Sequence, residues 1–217
     1  MNSREAILAA VRRNRPRLDA PLPVPVAITT AVATADTIER FRTALAIYGS
    51  KTLEPAPGQS VRALIDDLFP ERPSLCSATP EIIGSHPLPA VDRPQELAAI
   101  EIGVVRAAFG VAETGSVFLS EAELQVNAVG YLVQHLVVLL DPAAILETLQ
   151  EAYAQPEFTT AGYAVLMTGP STTADIEGVL IRGAQGVRSL TVILSRLEGR
   201  KLSSPASARA RSSAAAP

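Results

Sequence analysis

The chain has 217 residues, 47% of them hydrophobic, and a formal net charge of −3. That size suits one globular domain with a sizeable core, and the mildly acidic balance offers no long-range attraction to nucleic acid or an anionic membrane. Cys76 is the single cysteine, so there is no internal disulfide and too few thiolates for an iron–sulfur cluster.

Asn2 and Glu5 form a capping pattern that predicts a first helix through about Arg13, with Ile7, Leu8 and Val11 on one face. Arginines at 12, 13, 15 and 17 stand where a signal-peptide cleavage site would be, so no leader is expected. Pro21, Pro23 and Pro25 mark an extended linker. Residues 1–35 therefore read as a helix and a Pro-rich linker, lying against the domain or a partner.

The main domain is predicted over 36–202. Asp36 with Glu39 opens a helix carrying Ile38, Phe41, Leu45 and Tyr48, which Gly49 stops. A short strand is expected at 51–53. A helix at 60–69 places Val61, Leu64, Ile65 and Leu68 on one face. A strand at 74–77, a short helix at 94–100 and a strand at 102–107 follow. The apolar runs 117–119, 136–140, 164–167 and 190–194 read as buried strands, with helices predicted over 142–153 and 173–182.

Strands alternating with helices give an α/β fold, a three-layer α/β/α arrangement with a mostly parallel sheet. The runs 117–119 and 136–140 are candidates for one antiparallel pair. The stretch 128–146 is the best membrane candidate, but Gln134, His135, Asp141 and Pro142 interrupt it, and no span is expected. Residues 203–217 lack any large apolar side chain and are predicted to be disordered. The lone thiol fits a cytoplasmic location, with Cys76 reduced and buried.

Two segments concentrate the chemistry. The first, Gly110-Val111-Ala112-Glu113-Thr114-Gly115-Ser116, places a carboxylate and two hydroxyls between glycines beside a strand. Glu113 is read in two ways: as a base or nucleophile facing a ligand, or as an acceptor for backbone N–H groups of its own turn. Thr114, Gly115 and Ser116 are candidate contacts, although hydroxyls in a glycine turn also cap it locally.

The second segment runs from Thr168-Gly169-Pro170-Ser171 through Asp175-Ile176-Glu177. It reads as a strand end, a turn and a helix start, with Thr172 and Asp175 as the cap and Ile176, Val179 and Leu180 facing the core. Gly169, Ser171, Asp175 and Glu177 are its candidate ligand residues. Arg188, in the next turn, either clamps an anion or pairs with Asp175 or Glu177. His86 and His135 share no metal-ligand spacing, and neither a phosphate-binding loop nor a dinucleotide fingerprint is present. No metal or cofactor is expected.

Gly-Val-Ala-Glu-Thr-Gly-Ser at 110–116, Gln134-His135-Leu136-Val137-Val138, and Gly169-Pro170-Ser171 with Ala174-Asp175-Ile176-Glu177 occur here in that order. The order resembles the lactate utilization protein C family, single-domain members of the LUD domain group, over roughly residues 36–195. In the turn 183–188 this chain carries Gln185 and Val187 where family members usually show His and Pro. Gln185 hydrogen-bonds but does not titrate.

The resemblance implies the fold group of ribose-5-phosphate isomerase, glucosamine-6-phosphate deaminase and the CoA transferases. It implies a non-redox subunit of a system oxidising L-lactate to pyruvate, with iron–sulfur partner subunits carrying the electrons. It also favours a ligand-facing Glu113. The alternative is a stand-alone enzyme or binding protein for a small acid, an acyl-CoA or a sugar phosphate, working through Glu113. Either reading expects the Glu113 loop and the 169–177 loop to converge on one cleft.

Overall fold

The central strands are apolar on both faces, and that pattern places them between two layers. β6 sends Leu136, Val138 and Leu140 to one cluster of buried side chains and Val137 and Leu139 to another. β11 repeats this with Leu190, Val192 and Leu194 against Ile193. Successive residues of a strand point to opposite faces, so a strand apolar at every position must be covered on both.

A computed structural model describes residues 2–16 and 34–196, apart from 72, 90, 91, 175, 176 and 184. The predicted linker and tail lie outside the described residues. In chain order the first elements are α1 (Ser3–Arg13), α2 (Thr34–Ile47), β1 (Lys51–Leu53), α3 (Val61–Leu68) and β2 (Leu75–Ser77). A 3-10 turn at Pro94–Ala99 leads to β3 (Ile102–Arg106), β4 (Phe109–Val111) and β5 (Ser116–Ser120). Two short helices, α4 (Glu121–Leu124) and α5 (Val129–Leu132), precede β6 (His135–Leu140). Then come β7 (Ile145–Leu146), α6 (Leu149–Tyr153), α7 (Pro156–Thr160) and β8 (Ala164–Met167). The described chain closes with β9 (Thr172–Thr173), β10 (Ile181–Arg182) and β11 (Ser189–Leu194).

The architecture is three-layer α/β/α around a five-stranded parallel sheet of order β1-β11-β6-β3-β2. α3 covers one face. Its Ser60 cap holds the Ala63 N–H, and its apolar stripe of Val61, Leu64 and Ile65 packs on Val104, Val137 and Ile193. The opposite face carries the larger cluster, which α2 joins through Phe41 and Leu45. No helix among the described residues is long and apolar enough to cross a membrane.

A second sheet, β7-β4-β5-β8, lies against that larger cluster. β4 and β5 form an antiparallel hairpin, β5 pairs antiparallel with β8, and β7 runs parallel to β4. Val117 and Leu119 face the main core, while Phe118 turns outward onto Phe109, Leu149 and Phe158. Phe109 and Phe118 are cross-strand partners with ring centroids 4.5 Å apart.

Several sequence expectations are corrected. The run 117–119 does not pair with 136–140: it belongs to the second sheet, between β4 and β8. The helix expected over 142–153 is broken, because Ile145 and Leu146 pair with Gly110 and Val111, and Thr148 then caps a new short helix. The helix expected over 173–182 is instead a two-stranded ribbon, β9 against β10. Glu177 at φ 54 and Gly178 at φ 70 lie in the left-handed region, which a right-handed helix cannot contain. Val179 and Leu180 are consequently 59% and 61% exposed rather than in the core. Asp175 and Ile176 lie outside the described residues. The first helix has its predicted capping box, but none of its residues is buried.

Phe118 is fully buried and holds the hairpin to α7 through Phe158, 5.7 Å away between centroids. Phe118→Ala is expected to cost about 3–5 kcal/mol in chemical denaturation, the usual range for emptying an aromatic site. A loss under about 1 kcal/mol would contradict this packing, since a surface position behaves that way.

Candidate functional site

The carboxylate-bearing turn, residues 112–115, joins β4 to β5. Two constraints set its shape. Gly115 sits at φ +65, and a Cβ there would lie 2.3 Å from the backbone nitrogen of Leu45. Only glycine allows the turn to lie this close on α2. On the other side, Ala112 N–H donates to the Leu146 carbonyl at 2.8 Å and Glu113 N–H to the Glu147 carbonyl at 3.1 Å.

These contacts carry Glu113 to the start of α6. Its Oε2 accepts the Leu149 N–H at 2.9 Å, beside the Thr148 cap that takes the Glu151 N–H at 3.3 Å. The first N–H groups of a helix have no partner within it, and a carboxylate also complements the helix dipole there. Glu113 thus caps a neighbouring helix, not its own turn.

A groove of about 450 Å³ runs between this turn and α2. Asp36, Glu39, Arg40 and Glu113 line it with charge, and Ala44, Ile47 and Ala112 give it an apolar part. Arg40 pairs with Glu147 at 2.5 Å, and Thr37 donates to the same carboxylate. Arg40 is therefore engaged by Glu147, while no cation among the described residues pairs with Asp36 or Glu39.

The second segment touches the first through hydroxyls. Ser116 Oγ lies 2.7 Å from Thr114 Oγ1 and 2.7 Å from Thr168 Oγ1, at the end of β8. Ser50 donates to the Thr168 carbonyl at 3.4 Å. Gly169 follows directly, where a Cβ would lie 2.9 Å from the Tyr48 backbone oxygen. The two motifs thus meet at a partly buried chain of hydroxyls, which with Ser50 ties β5, β8 and the end of α2 together.

Beyond Gly169 the second segment turns away. Ser171 N–H donates to the Val187 carbonyl at 3.0 Å, and Gly183 N–H to the Ser171 carbonyl at 2.6 Å. Glu177 is exposed at the ribbon tip, and Asp175 lies outside the described residues. Arg188 is exposed, its N–H bonded to the Gln134 carbonyl at 2.8 Å, and no described carboxylate forms an ion pair with it. Gln185 is exposed and Val187 buried. None of the described residues from Gly169 to Arg188 lines the groove beside Glu113. Among the described residues the two segments meet through the Ser116–Thr168 hydroxyl contact, and the groove beside Glu113 is lined by α2 and the turn.

Arg40 and Glu147, which sequence reading does not single out, complete this region with Thr168, which it names only as the start of the second segment. Glu147 lies within the run 142–153 read as continuous helix, which hid the strand that brings it under Arg40. Thr168 was visible as the polar end of an apolar strand.

His135 opens β6, its Nδ1 2.7 Å from the Ser189 hydroxyl and its ring 5.4 Å from Phe69. Burial holds its pKa below the usual histidine value; nearby Glu101 opposes this and Arg188 reinforces it. Cys76 is buried in β2, and burial pushes its thiol up to about 11, which leaves it unreactive at neutral pH. Among the described residues no three His, Cys, Asp or Glu side chains come together as a metal set.

The LUD domain matches residues 77–195 of this chain. A solved structure of a DUF162 family protein from Deinococcus radiodurans aligns with a TM-score of 0.55 at 15% identity. The alignment covers 75% of this chain and 98% of that one, and at such identity it speaks for the fold alone. No curated protein matches the chain.

Three outcomes test the site. Gly115→Ala is expected to lower stability by at least about 2 kcal/mol, because strain at positive φ adds to a backbone overlap. A thermal or urea unfolding curve unchanged from wild type would refute the close approach.

Glu113→Ala should cost about 0.5–2 kcal/mol as a lost helix cap, and Glu113→Gln less, since the amide keeps an acceptor oxygen. Equal losses for both would show that the charge, not the hydrogen bond, matters.

The third outcome concerns pH. With the folded pKa of His135 depressed, the unfolded chain binds the extra proton first. The histidine's contribution is therefore present above about 6.5 and is lost as pH falls towards its lowered folded value. His135→Asn should flatten stability over that window, which denaturation midpoints between neutral and mildly acidic pH would reveal.

Proposed function

This chain belongs to the LUD domain family, and from that premise we propose that it is a non-redox subunit of an L-lactate-oxidising system, acting with iron–sulfur partner proteins. The family is associated with lactate utilization; the subunit role and the partners are our reading. The observation that carries it is the state of Glu113. Glu113, the candidate acid of the first motif, holds the Leu149 N–H at 2.9 Å, in an open groove. A general base needs its carboxylate available to the substrate proton; this one is tied into the scaffold.

The thiol chemistry agrees. Electron transfer from lactate needs redox centres, and a chain with one cysteine supplies too few thiolates for a cluster. The centres would reside in partner proteins, and this chain would provide surface, order or substrate positioning. Thr114, Gly115, Ser116 and Gly169 then serve the architecture that holds that surface, and Ser171, Asp175, Glu177 and Arg188 are candidates for contact with a partner or ligand.

A second reading has one observation in its favour. The groove beside Glu113, about 450 Å³, falls in the size range of small-molecule sites. On that reading the ligand would be a small acid, an acyl-CoA or a sugar phosphate. Glu113→Gln separates the readings, because it keeps the helix cap and removes the base. Turnover abolished by that substitution would favour the enzyme.

The direct test is co-expression with the genes encoded beside it. The subunit reading expects a tagged chain to retain a protein with iron–sulfur absorbance, and L-lactate-dependent dye reduction to fall when the chain is omitted. If no cluster-bearing protein is ever retained and lactate oxidation proceeds at full rate without this chain, the subunit reading fails.

A further inference from the structure

α1 is an amphipathic helix whose apolar stripe is only partly covered by its own chain: Leu8 is half-buried, Ile7 and Val11 are not. Ile7 and Val11, one turn apart, are 63% and 61% exposed, and no residue of the helix is buried. A helix of this kind gains most of its stability from packing that stripe against something. Its flanks are basic. Residues 1–17 carry five arginines and one glutamate, net +4.

Residues 18–195 have the opposite balance, nine basic against twenty acidic side chains, net −11. The exposed face of α2 concentrates both properties that α1 lacks a partner for. Asp36 and Glu39 stand at its N-terminal end, and neither forms an ion pair with a cation among the described residues, Arg40 being engaged by Glu147. Ala44 and Ile47 stand towards its C-terminal end, Ile47 being 75% exposed. Asp36, Arg40, Ala44 and Ile47 recur at helical spacing, so acid and apolar groups share one ridge.

We propose that α1 of one copy of this chain docks in the α2 groove of a second copy, each giving one helix and receiving one. The fit is antiparallel. Arg12 and Arg13, in the last turn of α1, meet Asp36 and Glu39 at the start of α2; Ile7 and Val11 meet Ala44 and Ile47. Antiparallel helices also oppose their dipoles favourably. The occupant is a second copy because in its own chain no residue of α1 is buried and Ile7 and Val11 stay exposed. Residues 14–33 give the helix a reach of at most about 70 Å. Exchange about a twofold axis satisfies both grooves at once. This goes beyond the subunit reading and does not depend on it. It assigns the groove to a helix instead of a small molecule.

The experiment is light scattering coupled to size exclusion on the purified full chain, with variants at solvent-exposed positions that leave the fold intact. Wild type is expected at twice the 22.8 kDa chain mass. Val11→Asp and Ile47→Asp are each expected to weaken the dimer by at least about tenfold, the loss typical of a central interface residue. Arg12→Glu and Glu39→Arg should each weaken it, and the chain carrying both should regain it. Circular dichroism must show an unchanged folded-state spectrum for each variant scored, since loss of the dimer itself lowers the unfolding midpoint. A wild type that stays monomeric overturns the proposal. So does a dimer indifferent to Val11→Asp and Ile47→Asp, or a double charge reversal that fails to restore association.

Discussion

The contact on which the rest depends is the close seat of the β4–β5 turn on α2, made possible by the missing side chain at Gly115. A Cβ there would overlap the backbone of Ala44 and Leu45. With the turn seated, Glu113 reaches Leu149, Ser116 reaches Thr168, and the second sheet closes over Phe41 and Leu45. Without it, the hairpin would stand off the helix, and the groove, the helix cap and the hydroxyl chain would lose their common support. A family motif rich in glycine and hydroxyls is here explained by packing and capping before any ligand is invoked.

Electrostatics divides the chain in a way the near-neutral total conceals. The net −3 is an average over a basic start, an acidic body and a basic end. Such segregation has little bearing on fold, but it decides which surfaces attract each other. The α2 groove sits inside the acidic body with an apolar stretch beside its carboxylates, a combination that suits a basic amphipathic helix better than an anionic metabolite. A phosphate or a carboxylic acid entering there would face Asp36, Glu39 and Glu113 together, with Arg40 already engaged by Glu147.

Much of the layered fold was legible because its signals are local. The two-sided apolar pattern of 136–140 and 190–194, the Ser60 cap and the stripe Val61, Leu64, Ile65 need no tertiary information to be read. The second sheet was legible only in part: the runs 117–119 and 164–167 read as strands, but β7 is only two residues long and exists through its pairing with β4. The ribbon at 172–182 was misread for a related reason. Thr172 and Asp175 match a helix cap by spacing, yet Glu177 and Gly178 adopt positive φ, which sequence spacing does not encode. At the site, the value of Glu113 and Ser116 was visible as composition, but their partners Leu149 and Thr168 lie far along the chain.

The central claim is that the groove between α2 and the Glu113 turn serves protein docking, not turnover. Carboxyl footprinting by carbodiimide labelling and mass spectrometry tests it most directly, residue by residue. The account predicts that Asp36 and Glu39 are shielded in the associated chain and become labelled on dilution, while Glu71, exposed after α3, labels equally in both states. Equal labelling of Asp36 and Glu39 in both states would mean that no helix covers the groove, and the claim would be wrong.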